Sequence, residues 1–207
     1  MKPLWGILGI VYLLVAPPAL ALDLQGHLGT RVLAPENTLP AFATALSLGV
    51  TTLELDTGIT KDGVVVISHN TTLNPDITRD RAGKWLGGPG PAIHALTFQE
   101  LQQYDVGRIK PDTDYAKQFP DQKAVDGTRI PRLADLFALV RKSGNEQVRF
   151  NIETKVSPLE PGQTPDPETF AKTLVDLIRQ EGMASRVAIV SFDCRTLQVV
   201  QRIAPPL

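Results

Sequence analysis

Strands and helices alternate along this chain, and the alternation limits the folds open to it. Runs rich in apolar and β-branched residues, at about 23–27, 50–56, 64–68, 148–155 and 187–192, read as strands. Most of the stretches between them carry helix signals. Asn37 or Thr38 can cap a helix with Pro40 in its first turn and Gly49 past its end. Leu133, Leu136, Phe137 and Val140 follow helical spacing, with Gly144 beyond. Asp166 stands before Pro167 at the head of a helix that Gly182 closes, and a final helix is predicted from about Cys194 to Ile203. Strand–helix–strand order implies crossover connections and parallel strands, hence an α/β fold with helices over both faces of its sheet.

Two stretches depart from that regularity. Lys2, the apolar run from Leu4 to Ala16, Pro17-Pro18 and Ala19-Leu20-Ala21 have the layout of a secretory signal peptide cleaved after Ala21. The run falls short of the roughly 18 apolar residues of a spanning helix, so no stable membrane span is expected after cleavage. A periplasmic or secreted location follows as an expectation. The second stretch, about 70–128, is rich in Gly and Pro and reads as a loop-rich insertion after the third strand. Within it, Thr97-Phe98-Gln99-Glu100 is a capping box for a helix expected to stop at Gly107. His94 reads as a surface residue. The remaining 22–207 suit one ordinary domain. A formal net charge of -1 with no basic run argues against nucleic acid as a partner. Cys194 is the only cysteine, so no intrachain disulfide is expected.

The chemistry gathers between His27 and His69. Residues two apart on a strand share a face, so in Leu53-Glu54-Leu55-Asp56 the two carboxylates point one way and the leucines the other. Glu153 and Lys155 share a face of a later strand in the same manner. Taken alone, a Glu-x-Asp strand face is more often solvated than a metal site. Converging at adjacent strand ends, Glu54, Asp56 and Glu153 would repel one another and resist desolvation, and a divalent cation removes that cost. An all-carboxylate set suits Mg²⁺ or Ca²⁺ better than Zn²⁺. A cation beside Lys155 is an arrangement that holds a phosphate. His27 and His69 are then free to act as acid and base.

His27-x-Gly29, Ala34-Pro35-Glu36-Asn37-Thr38, Glu54-Leu55-Asp56, Thr60-Lys61-Asp62-Gly63, His69 and Ile152-Glu153-Thr154-Lys155 together resemble the signature of the glycerophosphodiester phosphodiesterase family. Leu73 to Arg79 and Asp126 to Pro131 resemble its secreted bacterial members. The resemblance implies a (β/α)₈ TIM-type barrel, of which about five of eight β/α units fall within this chain, with the site at the C-terminal ends of the strands. It implies hydrolysis of a small-molecule glycerophosphodiester to an alcohol and sn-glycerol 3-phosphate. It also implies catalytic His27 and His69, one divalent cation on Glu54, Asp56 and Glu153, a phosphate-contacting Lys155, and an insert that covers the glycerol end. One histidine would activate a glycerol hydroxyl to attack phosphorus and the other would protonate the leaving oxygen, with water opening the cyclic phosphate. Leu28 stands where the family usually has arginine, and Asn70 where it usually has aspartate. A related lipid phosphodiesterase of the phospholipase D-like kind is an alternative, as is an inactive or truncated phosphodiester-binding relative.

Overall fold

The structure is a computed structural model that describes residues 22–207, so the signal peptide expected at 1–21 lies outside the described residues. The chain forms β1 (Gln25–Gly26), α1 (Leu39–Ser47), β2 (Thr52–Ile59), β3 (Val65–Ile67), α2 (Phe98–Leu101), α3 (Asp114–Gln118), α4 (Leu133–Lys142), β4 (Arg149–Thr154), α5 (Pro167–Gln180), β5 (Val187–Val190) and α6 (Cys194–Ile203). The sheet runs β1-β2-β4-β5, and these four strands are parallel. The architecture is α/β of the (β/α)₈-barrel type, here an open arc with β1 and β5 at its edges. Among the described residues no helix is long and apolar enough to cross a membrane.

The third strand differs from its expected parallel course. β3 pairs antiparallel with β2, placing Thr57 opposite Ile67 and Ile59 opposite Val65. The link between them is too short for a parallel crossover, which needs a dozen or more residues, so the chain turns back as a hairpin. Val65 and Ile67 join the main core while Val66, pointing the other way, joins a second cluster with Leu73, Ile93, Leu101, Val106 and Ile130. The segment 70–128 therefore has a small core of its own, anchored on β3.

The main core lies between the outer face of the sheet and the helices. Leu53, Leu55, Phe150 and Ile152 are buried there against Phe42, Phe137 and Phe170, with Phe137 meeting Phe150 edge-on at 5.0 Å. Apolar burial of this kind is the principal stabilising term. The opposite face is not covered as expected. It carries Thr52, Glu54 and Asp56 on β2 in register with Arg149, Asn151 and Glu153 on β4. A barrel accounts for this, because its inner face leads to the site while only its outer face is clad in helices.

Helix ends follow the residue chemistry. Thr38 caps α1 by accepting from the Ala41 N–H, Asp166 caps α5 by accepting from Thr169, and the reciprocal Thr97–Glu100 box opens α2. That helix ends at Leu101, well before Gly107. His94 is half-buried rather than on the surface, its Nδ1 donating to the Ile59 carbonyl at 3.1 Å and tying the insert to the end of β2.

Candidate metal centre

Each acidic side chain is delivered by strand geometry. Parallel register sets Asp56 beside Glu153 and Glu54 beside Asn151, and all four face inward. One oxygen from each of Glu54, Asp56 and Glu153 lies within 4.8 Å of the others. Their side chains are 12%, 1% and 12% exposed, so water does little to screen them. Lys155 bridges two of the three, with Nζ 2.9 Å from Asp56 Oδ1 and 2.7 Å from Glu153 Oε1.

The loop between β1 and α1 completes the cluster with backbone and amide groups. Leu28 adopts a left-handed φ of 50°, which aims its N–H at Glu54 Oε2, 2.9 Å away. Its side chain is buried, so this residue reaches the site through its main chain alone. Gly29 follows at φ 78°, and a Cβ there would stand 2.8 Å from the Ala41 Cβ, so α1 can approach only a glycine. Asn37 then reads Asp56 twice, donating from Nδ2 to Oδ2 at 2.9 Å and accepting from the Asp56 N–H at 3.4 Å.

The electrostatics are unbalanced. Burial, reinforced by Asp56 and Glu153 against the Leu28 N–H, pushes the Glu54 carboxyl up to about 7. Burial alone would pull Lys155 down, but its bonds to Glu153 and Asp56 outweigh that and hold it above its ordinary value. One ammonium cannot balance three carboxylates. An oxygen-only donor set with excess negative charge in a partly dry cleft fits a hard divalent cation, so the residues present suit the ion.

Both histidines border this cluster and both are exposed. His27 Nε2 lies 3.8 Å from Glu54 Oε2, and its Nδ1 lies 3.4 Å from an Arg31 nitrogen. Burial and the Arg31 charge lower the His27 pKa, with a smaller contribution from His69. His69 follows β3, whose exit is fixed by the Ser68 N–H bonding the Asp56 carbonyl at 3.0 Å. Asn70 Oδ1 stands 3.4 Å from His69 Nδ1, so a neutral acceptor occupies the place where an aspartate would have added charge. Behind His69 a narrow recess runs between the sheet and the insert, lined by Asn37, Asn70, Leu73, Asn74, Thr78 and Ile130.

The structure thus brings together Glu54, Asp56, Glu153, Lys155 and His27, with His69 close enough for its charge to act on His27. It adds Asn37 as a partner of Asp56; of the two caps open to the sequence, Thr38 does the capping. Glu36 is also new: it is buried, desolvation raises it to about 7, and it accepts from the Tyr115 hydroxyl of α3. The signal available was a surplus of polar groups in Glu36-Asn37-Thr38, more than one helix start requires.

Known proteins resemble this chain in sequence and in fold. Residues 27–207 match the sequence model of the glycerophosphoryl diester phosphodiesterase family. A glycerophosphodiester phosphodiesterase of Caldanaerobacter subterraneus subsp. tengcongensis is 31% identical over 182 residues, covering 87% of this chain and 62% of the relative. A Silicibacter pomeroyi protein assigned as a glycerophosphoryl diester phosphodiesterase superposes with a TM-score of 0.82 at 35% identity, over 88% of this chain and 61% of that one. An Oleispira antarctica phosphodiesterase, solved with its product sn-glycerol-3-phosphate, shares the fold with a TM-score of 0.63 at 22% identity, over 89% of this chain and 63% of that one. The chain therefore spans about three-fifths of the length of these relatives.

Proposed function

The chain belongs to the glycerophosphoryl diester phosphodiesterase family, and on that premise we propose that it hydrolyses glycerophosphodiesters to an alcohol and sn-glycerol 3-phosphate. One divalent cation, Ca²⁺ or Mg²⁺, is held by Glu54, Asp56 and Glu153 and, when bound, stabilises negative charge developing on the phosphoryl oxygens. The observation that carries the reading is the packing of three carboxylates within 4.8 Å around a single bridging lysine.

The chain's own residues take the remaining work. Asn37 and the Leu28 N–H hold Asp56 and Glu54 in fixed orientations, so the ligand set is formed before any ion arrives. Lys155 spends two of its three N–H donors on carboxylates and keeps one for a phosphoryl oxygen. His27 and His69 exchange protons with the substrate: one takes the proton of a glycerol hydroxyl as that oxygen attacks phosphorus. The other gives a proton to the alcohol oxygen as its bond to phosphorus breaks. Water then adds to phosphorus of the cyclic phosphate left behind, opening one P–O bond of the ring to give sn-glycerol 3-phosphate. The recess behind His69, lined by asparagine and threonine side chains, accommodates the hydroxyl-bearing glycerol end. The pattern of Lys2, residues 4–16 and Ala19-Leu20-Ala21 supports action outside the cytoplasm, and N-terminal sequencing of exported protein tests it by the appearance of Leu22 as first residue.

Glycerophosphocholine with Ca²⁺ or Mg²⁺ is the direct assay. Release of sn-glycerol 3-phosphate that stops on chelation and returns with the ion is the expected result. Hydrolysis indifferent to chelation, or none by a folded chain with either ion, contradicts the proposal.

A further inference from the structure

We propose that Arg31 is a substrate-binding residue that grips the phosphoryl oxygens of the bound phosphodiester; this rests on the functional reading above and assigns it a further contact. Arg31 forms no ion pair among the described residues, whereas Lys155, the cation inside the cluster, is shared between Asp56 and Glu153. An unpaired guanidinium at the rim of an acidic cleft needs an explanation, because the nearby carboxylates would attract it. Its placement supplies one. Phe119, just past α3, lies under it with the guanidinium carbon 4.6 Å from the ring centroid. Stacking on an aromatic face strips water from one side of the group while its edge N–H donors stay available.

The backbone that presents Arg31 is pinned from two directions. Gln122 Nε2 donates to the Arg31 carbonyl at 2.7 Å, and the Lys123 N–H donates to the Leu33 carbonyl at 3.0 Å, both from the insert. On the other side Thr30 Oγ1 donates to the Ala41 carbonyl of α1 at 3.0 Å. The backbone that carries Arg31 is thereby fixed before a ligand binds, and the Phe119 ring limits the side chain itself, which lowers the entropic cost of binding.

The Arg31 guanidinium reaches His27. The two nitrogens of that ring face different neighbours, Nε2 toward Glu54 at 3.8 Å and Nδ1 toward Arg31 at 3.4 Å. A phosphodiester anion lying over the carboxylates and beside this imidazole is within a side-chain rotation of the guanidinium. The planar fork of arginine matches two phosphoryl oxygens at once, a contact that an ammonium cannot reproduce.

Inorganic phosphate, titrated calorimetrically into the full chain with saturating Mg²⁺, tests the assignment without turnover. Replacing Arg31→Met should weaken phosphate binding by about 10–100-fold and raise KM for glycerophosphocholine by a similar factor. Arg31→Lys should retain part of the affinity, and Phe119→Ala, which removes the shelf and no charge, should weaken it to a smaller degree. Thermal unfolding checks that each variant is folded, and the lysine and Phe119 variants decide the matter if the methionine variant is not. Phosphate affinity equal to that of the unmodified chain, with only kcat reduced, would overturn the inference and leave Arg31 serving His27 alone. An unmodified, Mg²⁺-saturated chain that binds no phosphate would overturn the functional reading with it.

Discussion

The inner face of the sheet carries a polar cluster at each end, and the two are built on opposite terms. At the N-terminal ends of the strands, Asp23 accepts from Thr51 and Thr52 at 2.7 Å each, from Arg149 at 2.9 Å and from Gln25 at 2.9 Å. The Thr51 and Thr52 hydroxyls, with Gln25 and Arg149, hold its carboxyl far below the usual carboxylate range. One acid is met by four donors, and nothing more is needed. At the C-terminal ends, a few residues along the same strands, three acids share one ammonium and Glu54 is forced up to about 7. The first cluster is complete as the chain folds it. The second is left with an excess of negative charge that could hold a cation.

Substitutions can break that contrast, the largest effect being expected at the unbalanced end. Glu153→Gln should lower glycerophosphodiester turnover by on the order of 1000-fold or more, since the loss of a ligand removes several kcal/mol of charge stabilisation. Lys155→Met should destabilise the cation-free chain by about 3 kcal/mol at pH 8, because it leaves buried carboxylates without their partner. Denaturant unfolding measures it, and added Ca²⁺ should recover much of the loss.

A third effect is read from pH. Glu54 binds its proton more tightly folded, at about 7, than at its ordinary 4.5. It therefore favours the folded state fully below pH 4.5, and that contribution is lost as pH rises through about 7. Cation-free chain should lose on the order of 2–3 kcal/mol across this window, and Ca²⁺-saturated chain should lose much less. The smallest effect belongs to the balanced end. Asp23→Ala should lower the melting temperature slightly and leave both cation affinity and kcat unchanged.

The two ends were not equally legible in the sequence. Strand alternation in Leu53-Glu54-Leu55-Asp56 sorts core from site by geometry alone, and Ile152-Glu153-Thr154-Lys155 does the same for its partner strand. The reversed direction of β3 was missed because alternation records which face a residue takes and not which way its strand runs. The short Lys61-Asp62-Gly63 turn held the answer, since no crossover fits there. Tyr115 and the shelf under Arg31 were invisible for another reason. Each depends on how the insert docks against the loop after β1, a contact between segments about 80 residues apart in the chain that no local pattern encodes.

Cation binding itself decides between a site and a coincidence of acids. Titration of Ca²⁺ or Mg²⁺ into the full chain, followed by calorimetry beside Glu54→Gln and Glu153→Gln, is the most direct measurement. The account predicts one ion per chain, with affinity falling by at least about tenfold in each variant while both remain folded. Cation affinity that is unchanged in both variants, or no binding by the folded unmodified chain, would contradict it.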